Sequence, residues 1–175
     1  MNKLLFLAAG LSLTACRRAE DPAPTGANTL TCQIDGQAFS PYLAPVLLTP
    51  RQALEAGRDG QGRFALTART SLEKLSIVLV GVHGPGTYPL GSGAPYWQAP
   101  RHSYGAHTYA ARQLSDGTQQ PECNAYTDSL AIGMVQLTRY DTVANVAAGT
   151  FQYTAREAAT GRLLRVTDGK FDVKL

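Results

Sequence analysis

The end of the chain, Val146–Leu175, reads VAAGTFQYTAREAATGRLLRVTDGKFDVKL, and its alternation of apolar and polar residues decides the fold class. Apolar residues at 151, 153 and 155 alternate with polar residues at 150, 152 and 154. Because successive side chains of a strand point to opposite faces, this pattern predicts a strand with one buried face. Gly161, in the polar connection that follows, can adopt the positive φ angle of a tight turn. The chain is therefore predicted to end in β-strands.

The apolar positions change phase at Asp168-Gly169. Leu164 and Val166 occupy even positions, whereas the apolar residues that follow occupy odd ones: Phe171, Val173 and Leu175. Two geometries explain the change: a two-residue hairpin turn between two short strands, or a bulge within one long strand. The bulge is favoured slightly, because two five-residue strands at a chain end form a weak pair. Both geometries bury the same residues.

Three upstream stretches complete the secondary-structure prediction. Thr29–Phe39 predicts a hairpin, since Asp35-Gly36 favours a two-residue turn. Leu75–Val82 is nearly all apolar and β-branched, which predicts a central strand buried on both faces. Thr49–Gly57 instead has the cap residues of one short helix.

The composition agrees with a β-rich fold that has many turns. The 175 residues suit a single domain and include 17 Gly, 10 Pro and 8 Tyr. The predicted class is all-β: an antiparallel β-sandwich or partly closed barrel of about eight or nine strands, with at most one short helix. The net charge of +3 is too small for a nucleic-acid-binding face.

The N-terminus has the form of a lipoprotein signal peptide over residues 1–15. A short basic region, Asn2-Lys3, whose only charge is Lys3, precedes the apolar stretch 4–13, which is too short to span a bilayer. The tetrapeptide LTAC at 13–16 resembles the lipobox of bacterial lipoproteins. The resemblance implies cleavage before Cys16 and lipid attachment to that cysteine. The alternative is an ordinary signal peptide followed by an incidental cysteine.

A lipid at Cys16 would anchor the chain in the bacterial cell envelope. Arg17 stands where an Asp would indicate retention in the inner membrane, which favours the outer membrane and leaves the leaflet open. Residues 16–28 contain prolines and no apolar periodicity, so we expect a flexible tether there. A single β-rich domain is expected over 29–175.

Two cysteines remain once Cys16 is lipidated. Cys32 and Cys123 are an even pair in an oxidising compartment, so we expect a disulfide between them. The disulfide would close a loop of about 90 residues and add about 4–5 kcal/mol of stability in the chain-entropy model. Two buried free thiols are the alternative.

Seven fragments of turn and strand character occur along the chain: TCQIDGQAF (31–39), LSIVLVG (75–81), GTYPL (86–90), YTDS (126–129), LTRYDT (137–142), GTFQYTA (149–155) and VTDGKFDV (166–173). Together with the lipobox, they resemble a family of uncharacterised lipoproteins of Gram-negative bacteria. The resemblance covers about residues 29–175 and rests on turn and strand patterns. It implies a β-rich, membrane-tethered envelope module and transfers no catalytic residue.

The stretch PYWQAPRHSYGAHTYAAR, residues 95–112, is the one candidate binding loop. Aromatic rings beside Arg and His can stack on sugars or aromatic ligands, and loops carry binding functions on β scaffolds. The alternative is that its tyrosines only cover the ends of the core. The candidate ligand-binding residues are Tyr96, Trp97, Arg101, His102, Tyr104 and Tyr109.

Other chemistry is weakly indicated. His102 and His107 are five residues apart, which puts them on opposite faces of a strand, so we expect no metal and no cofactor. No nucleophile motif has the required spacing. Three carboxylates that could pair for glycoside hydrolysis are Asp116, Glu122 and Asp128.

The sequence therefore predicts a monomeric, non-enzymatic envelope lipoprotein that is structural or binds a protein partner. The alternative is a carbohydrate- or small-ligand-binding module that uses the loop 95–112. An envelope hydrolase is the third possibility.

Overall fold

The structure, a computed structural model, describes residues 23–43, 52–91, 102–109, 112–113, 118–120 and 122–175. These residues form thirteen strands and no helix. The strands are β1 (Thr29–Ile34), β2 (Gln37–Phe39), β3 (Leu54–Arg58), β4 (Phe64–Arg69), β5 (Glu73–Leu79), β6 (Gly86–Leu90), β7 (Tyr104–Tyr109), β8 (Arg112–Gln113), β9 (Gln119–Gln120), β10 (Cys123–Tyr126), β11 (Gly133–Asp141), β12 (Val146–Glu157) and β13 (Leu163–Lys174).

Eleven of these strands in the described part of the chain form one antiparallel sheet, and β8 pairs with β9 separately. Nine of the eleven follow the order β2-β1-β13-β12-β10-β7-β5-β4-β3 and curl into a half-barrel. One edge of the long strand β12 pairs with β13, and the other is shared by β11 and β10. β6 then pairs with β11. The all-β prediction is confirmed. Of the two predicted architectures, the observed half-barrel corresponds to the partly closed barrel.

The closing stretch is one long hairpin, and β13 contains the bulge rather than a second turn. Phe151 pairs with Gly169 and Tyr153 pairs with Val166, so two residues of β13 face Gln152 alone. Asp168, at this point, has a φ of 53°. The residues predicted to point inward on β12 and β13 are buried: Phe151, Tyr153, Ala155, Leu164, Val166, Phe171 and Val173.

Aromatic rings from both ends of the strand order meet in the core. Phe64 of β4 stacks on Phe171 of β13 with ring centroids 6.0 Å apart. Phe151 lies 6.2 Å from the same Phe171 ring. Because five steps of the strand order separate β4 from β13, this contact requires the curl of the sheet. Burial of these rings and their aliphatic neighbours supplies the main favourable term in folding.

Two predictions about individual segments are wrong. The second half of the expected helix Thr49–Gly57 is β3, which pairs with β4 over five residues, and 49–51 lie outside the described residues. Pairing along a whole strand outweighs a weak propensity for a short helix. Within Leu75–Val82, Leu75, Ile77 and Leu79 are buried, but the residues between them are half-exposed. This central strand has one covered face.

Residues 23–28, the described end of the expected tether, are hydrogen-bonded to the last strand. The backbone N–H groups of Thr25 and Gly26 donate to the Asp172 carboxylate over 2.9 and 2.7 Å. The N–H of Lys174 donates to Asn28 Oδ1 over 2.9 Å. The β-domain thus includes residues that the sequence assigned to the tether. The predicted signal peptide and Cys16 lie outside the described residues.

A search of the described ranges for a membrane-crossing helix finds none that is long and apolar enough.

Gly169→Ala is expected to lower the free energy of unfolding by about 2–3 kcal/mol, because it overpacks the bulge. A Cβ at Gly169 would lie 2.5 Å from the Phe151 carbonyl oxygen and 2.5 Å from its ring. The matched control is Gly57→Ala on β3, where a Cβ meets nothing within 4 Å. Urea denaturation should place the control within about 0.5 kcal/mol of the parent chain. Equal losses in both variants would contradict the bulge geometry.

Candidate functional site

One end of the half-barrel holds a cavity of about 280 Å³. Its walls come from the β1–β2 hairpin, β5, β7 and the start of β13, and its polar and aromatic lining residues include Asp35, Phe39, Glu73, His107, Tyr109 and Arg162. β2 and β7 are far apart in the strand order, so the curl of the sheet brings their residues together. The cavity is therefore a product of the barrel's incomplete closure.

His107 is the most deeply buried polar side chain that lines the cavity, with 2% of its surface exposed. It lies on the inner face of β7, between Leu75 of β5 and Ala125 of β10. Its Nε2 is 3.4 Å from Glu73 Oε2. Its Nδ1 is buried and has no hydrogen-bond partner in the described part of the chain.

The hydrogen bond to Glu73 assigns the tautomer of His107. A carboxylate can only accept, so Nε2 carries the proton and Nδ1 presents a lone pair. Burial lowers the pKa of His107, and the neighbouring Glu73 carboxylate offsets this only in part. The imidazole is therefore neutral near pH 7 and carries an unsatisfied acceptor.

An ion pair lies at the rim of the cavity, between the β1–β2 turn and the start of β13. Arg162 Nη2 donates to Asp35 Oδ2 over 2.9 Å, and the backbone N–H of Arg165 donates to Asp35 Oδ1 over 2.8 Å. Burial acts to raise the pKa of Asp35, but these two hydrogen bonds outweigh it and hold the pKa below its usual value. Asp35 is therefore a carboxylate whose charge Arg162 balances.

The expected disulfide is not formed in the structure, where Cys32 and Cys123 are buried free thiols. β13 and β12 lie between their strands, β1 and β10. Burial raises the pKa of Cys32 to about 12 and is the main cause that raises that of Cys123 to about 11. Neither is a thiolate at neutral pH.

The predicted binding residues divide into three groups. Tyr96, Trp97 and Arg101 lie outside the described residues. His102 is exposed ahead of β7, and Tyr104 is half-buried at the start of that strand. Tyr109 lines the cavity, with its ring centroid 5.8 Å from that of His107.

The candidate ligand-binding residues chosen from the sequence did not include His107, although it lies within the stretch 95–112 and was weighed as a metal ligand. His107 and Tyr109 are two apart, and that spacing puts both on one face if the segment is a strand. Because the segment was interpreted as a loop, this spacing was not used to place the two side chains on one face. Glu73 and Asp35 carry no sequence signal for this site, because they reach it from distant strands.

The carboxylates proposed for hydrolysis are not gathered here. Asp116 lies outside the described residues, and Glu122 is exposed. Asp128 accepts hydrogen bonds from the backbone N–H groups of Leu130 and Ala131 and pairs with Arg156 over 3.0 Å. Asp128 is therefore a turn residue. No group of three metal-ligating side chains occurs in the ranges that the structure describes.

Comparison of the chain with protein-family models, with curated proteins and with solved structures finds no match.

His107→Leu is expected to raise the free energy of unfolding by about 1 kcal/mol at pH 8, because it removes an unsatisfied buried acceptor. The gain should grow as the pH falls to 5. The lowered pKa of folded His107 means that the unfolded chain takes up the proton first, below a pH of about 6.5, so the parent chain loses stability there while the variant does not.

Thermal unfolding of the two chains at pH 8 and pH 5 measures this difference. The control is His102→Leu, which changes an exposed imidazole and should stay within about 0.5 kcal/mol of the parent chain at both values. A loss of stability in His107→Leu at both pH values would show that the imidazole makes a stabilising contact. That result would contradict the assignment of His107 Nδ1 as an unsatisfied acceptor.

Proposed function

We propose that this chain is a lipid-anchored, non-enzymatic binding module of the bacterial envelope that takes a small ligand into the cavity beside His107. The observation that carries the proposal is the cavity itself, whose lining brings together the His107–Glu73 pair, the Asp35–Arg162 ion pair and the ring of Tyr109. Concave sites that combine apolar and aromatic walls with a few polar groups are typical of small-ligand binding.

The chemistry of the lining supports binding over covalent catalysis. The His107–Glu73 pair has the form of a general base, but a base requires a nucleophile within reach. The described lining contains no Ser, Thr, Cys or Lys. Asp35 accepts hydrogen bonds from Arg162 and from a backbone N–H. These bonds favour a structural role at the rim of the cavity over a role as a nucleophile.

The proposal keeps one part of the sequence prediction and moves another. His107 and Tyr109 belong to the stretch 95–112 in which a binding site was expected. The partners that complete the site come from β1–β2, β5 and β13 instead of from the rest of that stretch. We propose that a lipid attached to Cys16 anchors the chain in the outer membrane. This anchor would keep the cavity within reach of small solutes of the cell envelope.

The lipid anchor is tested by metabolic labelling in a Gram-negative host fed an alkyne fatty acid. The parent chain should carry the label and Cys16→Ser should not, because the thioether forms on that sulfur. Arg17→Lys keeps the LTAC sequence and should be labelled like the parent. Labelling of Cys16→Ser at the parental level would contradict the anchor.

Ligand binding at the cavity is tested by closing its mouth. Ala38 is exposed on β2 and lines the cavity, so Ala38→Trp should cover it. Ligand-observed NMR with the full chain in detergent would screen small amines, carboxylates and alcohols. At least one class should bind the parent chain and fail to bind Ala38→Trp.

Ala144→Trp is the control, since Ala144 is exposed in the turn before β12, at the end of that strand away from the cavity. It should bind as the parent does. Binding that survives Ala38→Trp would place the ligand elsewhere, and a screen without any binder would remove the proposal.

A further inference from the structure

We infer that the outer face of β11, β12 and β13 lies on the surface of the membrane that holds the lipid anchor. This contact with a phospholipid bilayer is separate from the ligand cavity, and it rests on the anchor at Cys16 that belongs to the proposed function. Three features of the chain point to it: an exposed apolar row at the start of β11, the place where the N-terminal residues cross the sheet, and the short distance along the chain to Cys16.

The apolar row consists of Leu130, Ile132 and Met134, which are 78%, 64% and 44% exposed. Ala131 is buried between the first two, so alternation puts the row on the outer face of the sheet. Pro89 of β6, which pairs with Met134, is exposed beside it. The other large exposed apolar residues of the described ranges stand singly in the sequence: Tyr42, Leu72, Val143 and Leu163. Grouped exposure of this kind marks an interaction surface, whereas single residues do not.

A continuous groove on the outer face links this row to the N-terminal residues. Its first part lies between the row and the middle of β12, with Met134 and Gln152 in its lining. The next part shares these two residues and extends to Thr150 and Lys170. The last part shares Thr150 and Lys170 and ends at Ala23. The apolar row and the N-terminal residues therefore lie on one face of the half-barrel.

The N-terminal residues are fixed to this face close to the row. The Pro24 carbonyl accepts a hydrogen bond from Arg139 Nη1 at the far end of β11. Ala23, the first residue that the structure describes, lines the groove together with Thr138. Met134 precedes Thr138 by four residues, which is about 14 Å along a strand.

The chain between Cys16 and Ala23 limits how far this face can lie from the bilayer. Cys16 precedes Ala23 by seven positions. Seven fully extended residues span at most about 25 Å, and acyl chains on Cys16 would hold that residue at the membrane surface. The distance from Ala23 to the apolar row is shorter than this limit. The anchor therefore allows the row to reach the bilayer.

The charges beside the row are compatible with a phospholipid surface. Arg165 and Lys170 are exposed on β13 and line the groove. Anionic headgroups attract such cations. Asp168 lies on the same strand and offsets one of them. The apolar row therefore supplies most of the attraction, by burying its side chains at the boundary between headgroups and acyl chains.

The test places a polarity-sensitive bimane label at Met134→Cys in the lipidated full chain. The matched control is Leu72→Cys, an exposed apolar position between β4 and β5. Phe64 of β4 meets Phe171 of β13 across the core, so the outer face of β4 and β5 points away from that of β13. Each labelled chain is reconstituted into vesicles of phosphatidylethanolamine with a minority of phosphatidylglycerol, with and without nitroxide-bearing lipids.

The native thiols do not compete for the label. Cys32 and Cys123 are buried. Burial raises their pKa values to about 12 and, as the main cause, to about 11. Because the thiolate is the reactive form, both remain unlabelled at neutral pH.

Labelled Met134→Cys should emit at shorter wavelength in vesicles and be quenched by nitroxide lipids, at a depth of about 5–10 Å into the headgroup boundary. Labelled Leu72→Cys should keep its aqueous emission and escape quenching. Adding Ile132→Asp to labelled Met134→Cys should restore aqueous emission, because an ionised carboxylate resists transfer from water. Adding Leu72→Asp instead should change nothing. All of these positions are exposed, so the variants should unfold as the parent does.

Vesicle flotation separates this inference from the proposed anchor. A chain that floats with the vesicles while labelled Met134→Cys stays aqueous would overturn the membrane contact and leave the anchor standing. A shifted emission that nitroxide lipids do not quench, together with crosslinked dimers, would assign the face to a second copy of the chain and overturn it as well. A chain that carries no acyl group and does not float would overturn both.

Discussion

The bulge in β13 is the feature on which the half-barrel depends. It inserts one residue between Val166 and Gly169. This residue is extra relative to both neighbouring strands, β1 and β12. Side chains alternate along a strand, and without the insertion Phe171 and Val173 would point away from the core. The bulge keeps both halves of a twelve-residue strand buried on the same face. Bulges also increase the local twist, which suits a sheet that must curl.

The curl has two consequences with different chemistry. In the middle of the barrel it brings Phe64 onto Phe171 and closes an apolar core. At one end it leaves polar groups that the core cannot satisfy. His107 and Glu157 are both buried there, and Glu157 accepts a hydrogen bond from Thr160 over 2.5 Å while His107 Nδ1 has no partner.

The unsatisfied Nδ1 of His107 lowers the stability of this end of the barrel. A fold selected only for stability would replace His107 with an apolar residue, because a buried acceptor without a donor is unfavourable. The neutrality of the imidazole, which burial enforces, keeps it an acceptor.

Alternation within short segments could be read directly from the sequence. The buried face of β12, the Asp35-Gly36 turn and the change of phase at Asp168-Gly169 depend only on neighbouring residues, because they follow from the two-residue period of a strand. The choice between a bulge and a turn at Asp168 was resolved by the pairing of β13 with β1 and β12. Pairing between distant segments is a tertiary property.

The sequence by itself determined that this chain is all-β, where its closing strands lie and which of their residues point inward. Only the tertiary structure decided that Leu54–Arg58 is a strand, that Cys32 and Cys123 are buried free thiols on different strands, and that His107 meets Glu73. The physical reason is the separation along the chain of the residues that determine each property. Side-chain alternation is set by local backbone geometry, whereas a cavity lined from four separate parts of the chain exists only after the sheet has curled.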